Sequence, residues 1–154
     1  MKSKEVDSMP VRNAVANWEG NLKHGKGKIK LGSGAYEGSY SFASRFEQGT
    51  GTNPEELIAG AHAGCFSMAL SMILEQAGYV AEHIRTVAKV HIDKVGDGFK
   101  ITTIELDTEG AVPGIDERTF REKAEFAKKN CPVSVALSAT EITLNVKLVK
   151  KVAA

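Results

Sequence analysis

Asn53-Pro54-Glu55-Glu56-Leu57-Ile58-Ala59-Gly60-Ala61-His62-Ala63-Gly64-Cys65-Phe66-Ser67-Met68-Ala69-Leu70-Ser71-Met72-Ile73-Leu74 is the stretch on which the fold turns. Asn53 is a good N-cap, because its side-chain oxygen can accept from the first free helical N–H groups. Pro54 then occupies the first helical position, where its missing N–H costs nothing, and Glu56 falls where a capping box takes an acid. Leu57, Ile58, Ala61, Cys65, Met68, Ala69, Met72 and Ile73 recur mostly at threes and fours. A helix over Pro54–Gln76, ended at Gly78 by a left-handed glycine cap, is expected to be apolar on nearly all sides and so buried. One of only two cysteines lies at its middle.

On the N-terminal side, Val11–Trp18 reads as a first strand and Lys28–Leu31 as a second, half-exposed one. Tyr36–Phe46 reads as a third strand ending near Arg45, and residues 48–52 form a loop that delivers the chain to Asn53. On the C-terminal side, Val87–Val95 and Phe99–Thr108 alternate about a Gly96-Asp97-Gly98 hairpin turn. The inward parity changes between Ile101 and Ile104, which predicts a bulge. Asp116 should cap a helix through Lys129 that faces inward with Phe120, Ala124 and Ala127. Cys131-Pro132 ends it and starts a further short turn, and Thr140–Lys150 closes as an alternating strand. The order β-β-β-α-β-β-α-β argues an α+β fold, with antiparallel sheets around a long buried central helix, rather than a parallel βαβ sheet. Residues 1–10 are expected to be a flexible extension, with Met9 a candidate second start, and residues 11–154 a single domain.

The 154 residues carry 20 Lys plus Arg against 19 Asp plus Glu, a net charge of +1 that offers no electrostatic reason to bind nucleic acid or an anionic membrane. No bilayer span is expected, because Glu55, Glu56 and Glu75 bracket the central helix. Met1–Pro10 has no apolar core and does not resemble a signal peptide. Two cysteines without a secretion signal indicate a reducing compartment, the cytoplasm. Cys65 and Cys131 lack CxxC spacing and His24, His62, His83 and His91 are scattered, which argues against a metal site. No glycine-rich phosphate loop follows a strand, so no nucleotide cofactor is indicated.

Four residues are candidates for chemistry. Cys65 is either a nucleophile or an inert small hydrophobe. Cys131 is either its redox partner, with a thiolate favoured at a helix N-terminus, or a buried cap. Arg45 and Glu55 are charged residues on either side of the loop, and an acid in a first helical turn is also favoured by the helix dipole alone. Glu55 and Cys65 lie about 15 Å apart along a straight helix and roughly 80° apart around it. If all four act together, Arg45 and Glu55 of one subunit should face Cys65 and Cys131 of another, across a homodimer. His62, three residues before Cys65, would permit a Cys–His acyl hydrolase, but mid-helix N–H groups supply no oxyanion hole.

Arg45-Phe46-Glu47, Gly51-Thr52-Asn53-Pro54-Glu55-Glu56-Leu57, Ala61–Leu70, Val112-Pro113-Gly114-Ile115-Asp116 and Asn130-Cys131-Pro132-Val133-Ser134 together resemble the osmotically inducible protein C family, OsmC. The organic hydroperoxide resistance proteins, Ohr, are its more distant relatives. His62 and Trp18-Glu19-Gly20 resemble OsmC proper. The resemblance implies an OsmC-like fold, an intertwined cytoplasmic homodimer, and a cofactor-free thiol peroxidase. Its substrates would be organic hydroperoxides, with hydrogen peroxide reduced less well, in oxidative and osmotic stress defence. It implies Cys65 as the peroxidatic thiolate, Cys131 as the resolving cysteine, Arg45 and Glu55 as the activating pair, and recycling by an external dithiol such as a lipoylated protein. Phe66 and Met68, with residues of the partner, would line an apolar pocket. The alternative is a non-catalytic dimer that binds an apolar ligand and keeps its cysteines as core.

Overall fold

The computed structural model describes residues 8–150, which divide into two compact units at Asn53 and Pro54. The flexible extension expected over residues 1–10 falls mainly on residues 1–7, outside the described residues, as do residues 151–154.

In the N-terminal unit, β1 (Ala14–Glu19), β2 (Lys26–Leu31) and β3 (Glu37–Tyr40) form an antiparallel meander in chain order. Gly27 pairs with both Trp18 and Tyr40. The rings of Trp18 and Tyr40 are 5.4 Å apart by centroid, and a Cβ on Gly27 would clash with the Tyr40 ring. Only glycine lets the two aromatics close over that position.

The third strand is shorter than the sequence suggests. It ends at Tyr40, and Phe42–Phe46 forms a short helix, α1. The cause is local. The Ser41 hydroxyl accepts the Ser44 N–H at 3.1 Å while the Ser44 hydroxyl accepts the Ser41 N–H at 2.8 Å, a capping box built from two serines. The Phe42 and Phe46 rings then pack one turn apart with centroids 5.0 Å apart. The Ser44 hydroxyl donates to the Thr52 carbonyl at 2.7 Å, and the Asn53 amide donates to the Ser44 carbonyl at 3.0 Å, which folds the following loop back onto α1. Arg45 therefore sits on a helix and not at a strand end.

The C-terminal unit contains α2 (Pro54–Gln76), β4 (His83–Val95), β5 (Gly98–Ala111), α3 (Glu117–Asn130), α4 (Pro132–Ala136) and β6 (Glu141–Leu148). β4 and β5 form the expected hairpin, with Gly96 at φ 61 in the first central position of a two-residue loop. His91 pairs with Thr103 and Ile92 with Ile101, so Thr102 is the extra residue of the predicted bulge. β6 departs from expectation: it runs parallel to β5, from Thr103↔Glu141 to Gly110↔Leu148. Residues 112–140 contain two helices, enough chain for the crossover a parallel pair requires. The fold is α+β with two three-stranded sheets, one antiparallel and one mixed.

α2 packs against β4, α3 and α4, and its buried residues are Glu55, His62, Phe66, Leu70, Ile73 and Leu74. Phe66, Leu70, Leu74, Ile104, Leu106 and Phe120 are fully buried and form the core. Hydroxyls help fix the helix on the sheet: Ser67 donates to Thr86 at 2.8 Å, and Thr86 and Thr108 lie 3.0 Å apart. Burial is nonetheless one-sided. Gly60, Ala61, Gly64, Ser71 and Met72 are exposed and Met68 is 77% exposed, so the helix leaves an apolar face uncovered. α2 spans the Pro54–Gln76 expected from the sequence, but its uncharged run is longer than the bracketing glutamates suggest. Residues 57–74 contain no Asp, Glu, Lys or Arg, and α2 is long and apolar enough to cross a membrane by length and composition alone. Its other face is packed into the hydrophobic core, as expected of a core helix.

Candidate active site

Cys65 lies half-buried at the middle of α2, and Cys131 is fully buried at the junction of α3 and α4. Local chemistry sets that junction. The Asp116 carboxylate accepts the Thr119 N–H at 2.8 Å and the Thr119 hydroxyl at 2.7 Å, and these bonds hold its carboxyl below the usual range. α3 then buries Phe120, Ala124 and Ala127, and the Cys131 N–H closes its last turn on the Ala127 carbonyl at 2.8 Å. Pro132 begins α4 immediately. The outcome is that Cys131, 66 residues from Cys65 in sequence, places its sulfur 2.8 Å from the Cys65 sulfur. Both are free thiols. A disulfide needs about 2.0 Å, so bond formation requires little movement.

The electrostatics within this unit do not favour a thiolate. Burial pushes the Cys65 thiol up, and its contact with the Cys131 thiol pushes it further; the Val133 backbone N–H opposes both by hydrogen bonding to the sulfur. The balance is a raised thiol.

Three residues before Cys65, the His62 Nε2 lies 2.7 Å from the Ser134 hydroxyl, and both side chains are buried. Burial lowers the His62 pKa, favouring the neutral ring. Among the described residues the Nδ1 atom has no hydrogen-bond partner. His62 thus spends its polar contact on Ser134, which argues against the Cys–His hydrolase arrangement. Ser134 escaped the sequence reading because a serine two residues after a helix-starting proline carries no signal of a partner 72 residues away.

The four candidates separate as follows. Cys65 and Cys131 are brought together. Glu55 is buried in the first turn of α2, about 15 Å along the helix from Cys65. Arg45 lies on α1 in the N-terminal unit with its guanidinium 5.2 Å from the Phe46 ring centroid. There it borders a cavity lined also by Trp18, Tyr40, Phe42 and Phe46. Phe66 does not line an open pocket as the resemblance implied. It is fully buried in the core, because it falls on the packed face of α2, while Met68 falls on the uncovered one. Among the described residues, no group of three or more His, Cys, Asp or Glu is placed to hold a metal ion.

Residues 47–147 match the OsmC-like protein family. Peroxiredoxin OsmC of Escherichia coli (strain K12) is 53% identical over 138 residues, covering 89% of this chain and 96% of that protein. Organic hydroperoxide resistance protein OhrB of Bacillus subtilis (strain 168) is 34% identical over 101 residues, 64% of this chain and 69% of that protein. The crystal structure of an organic hydroperoxide resistance protein from Elizabethkingia anophelis superposes with a TM-score of 0.73 at 25% identity, covering 93% of this chain and 99% of that one. With the family match spanning most of the chain and the E. coli relative aligned along nearly all of it, this chain belongs to the OsmC family.

Proposed function

We propose that this chain is a cysteine-based peroxidase that reduces organic hydroperoxides to alcohols, hydrogen peroxide less well, and works in the cytoplasm in oxidative and osmotic stress defence. The observation that carries the reading is the pair of free thiols 2.8 Å apart. The names of the relatives, a peroxiredoxin and an organic hydroperoxide resistance protein, support it. The Cys65 thiolate attacks the distal peroxide oxygen; the O–O bond breaks, the leaving oxygen takes a proton, and the products are a Cys65 sulfenic acid and an alcohol. The Cys131 thiol then displaces the sulfenic oxygen as water, giving the Cys65–Cys131 disulfide. An external dithiol, such as a lipoylated protein, restores both thiols and leaves as its own disulfide.

The raised Cys65 thiol makes a counter-charge the missing ingredient. In this reading Arg45 supplies it and stabilises charge on the leaving oxygen, while Glu55 holds the guanidinium by bidentate bonding. Arg45 and Glu55 come from the partner subunit of a homodimer. The uncovered apolar face of α2 around Met68 and Met72 is the surface that association would bury. The test is a single addition of cumene hydroperoxide to the reduced protein. An intrachain Cys65–Cys131 disulfide is expected; thiols that stay free would return the protein to the reading in which it binds an apolar ligand without chemistry.

A further inference from the structure

Besides the Val133 N–H on the Cys65 sulfur, two side-chain rungs join α2 to α4. One is the thiol pair, and the other is His62 Nε2 to the Ser134 hydroxyl at 2.7 Å. His62 precedes Cys65 by three residues on the same face of α2, and Ser134 follows Cys131, the cap residue from which α4 starts, by three. The rungs are spaced about 4.5 Å apart along α2. α4 has five residues, too few to hold its own shape, and Ser134 is its buried residue. One end of the segment is tied to α3 through the Cys131 N–H. Beside the contacts of the Cys65 sulfur, the His62–Ser134 bond is a polar side-chain link from α4 to α2.

A histidine is a poor choice for this position if it serves only to fill space. His62 is wholly buried and its Nδ1 has no hydrogen-bond partner among the described residues. A buried nitrogen without a partner is unfavourable, and a leucine of similar bulk would avoid it. The bond made by Nε2 is what an apolar residue could not reproduce.

We infer that His62 and Ser134 are positioning residues for the redox pair: their hydrogen bond sets α4 on α2 and so raises the effective concentration of the Cys131 thiol at Cys65. Its use in turnover rests on the peroxidase reading above; the effect on the thiols themselves does not. Disulfide formation removes two protons and two electrons from the pair. A restraint already present in the dithiol form lessens the freedom lost when the bond closes, which shifts the equilibrium toward the disulfide.

The experiment equilibrates the full-length protein with mixtures of reduced and oxidised dithiothreitol and traps free thiols with a maleimide. Oxidised dithiothreitol accepts the two electrons and two protons and becomes the dithiol. Ser134→Ala removes one hydroxyl, His62→Leu removes both nitrogens, and His62→Gln returns an amide nitrogen near the Nε2 position. We expect Ser134→Ala and His62→Leu to make the disulfide about tenfold easier to reduce, ~30 mV for this two-electron couple. His62→Gln should stay within about threefold of wild type. A Ser134→Ala shift under threefold overturns the inference. So does a His62→Gln shift equal to that of His62→Leu, which would make bulk and not the hydrogen bond the cause. Should His62→Leu fail to fold, Ser134→Ala carries the test alone. Failure of the peroxidase reading shows separately, as a wild-type Cys65 that cumene hydroperoxide does not oxidise.

Discussion

Acid should weaken the fold through His62. Its ring is fully buried, and desolvation lowers its pKa below the ordinary 6.5. Near and below pH 6.5 the unfolded chain binds more proton at this position than the folded chain, so stability falls as the pH falls. The contribution is fully present above about pH 6.5 and is lost progressively below it, at a limiting slope of about 1.4 kcal/mol per pH unit. Between pH 7.5 and 5.5 a histidine that stays neutral in the fold therefore removes up to about 1.4 kcal/mol. With a urea dependence of about 1–3 kcal/mol per molar, that moves the unfolding midpoint by about 0.5–1.4 M. Carboxylates also titrate toward the acid end, so the readout is a difference. Urea midpoints are measured at both pH values, under reducing conditions, for wild type and His62→Gln, which has no titrating ring. The wild type should lose the additional stability and the variant should not. Equal pH dependence in the two proteins would refute the reasoning, because it would mean that the His62 ring accepts a proton in the fold as readily as in water.

Three further outcomes are expected. Arg45→Ala should leave the fold intact and slow peroxide reduction by roughly 100-fold or more, the scale for losing a group that stabilises developing charge; Arg45→Lys should rescue poorly, since a point charge cannot reproduce the guanidinium fork. Stopped-flow peroxide consumption reads both, and retained activity in Arg45→Ala removes Arg45 from the mechanism. Cys131→Ser should permit one rapid oxidation and then stall, with Cys65 accumulating sulfinic acid visible by mass spectrometry; unimpaired turnover would deny Cys131 the resolving role. Met68→Glu, on the uncovered face of α2, should shift the protein from dimer to monomer in size-exclusion chromatography with light scattering, because a homodimer buries the charge without a partner. A wild type that is already monomeric would overturn the shared-site arrangement.

Much of the fold is legible in the chain because its signals are local. Asp116 caps α3, Gly96 turns the β4–β5 hairpin, and the parity change near Thr102 marks the bulge. The sequence also pointed to a helix start beside Cys131, where α4 begins at Pro132. What escaped was either a weaker local signal or a long-range choice. Ser41 and Ser44 form a capping box with serine where an acid is usual, so strand-like residues through Phe46 concealed α1. The parallel pairing of β6 with β5 depends on the path of the intervening helices, which strand alternation does not encode. The uncovered face of α2 is invisible to periodicity, since apolar residues surround the helix whether the chain or another copy covers them. At the site, the two cysteines were legible as candidates, but their 2.8 Å approach is a product of packing between α2 and the end of α3. The His62–Ser134 bond has the same origin.

The proposed function rests on reduction of organic hydroperoxides by Cys65. Consumption of cumene or tert-butyl hydroperoxide by the purified protein, with a dithiol supplied as reductant, tests it most directly when wild type is compared with Cys65→Ser. Sustained turnover by the wild type and none by the variant is the predicted result. Wild-type protein with both thiols free that consumes no hydroperoxide, or a Cys65→Ser variant as active as wild type, would contradict it.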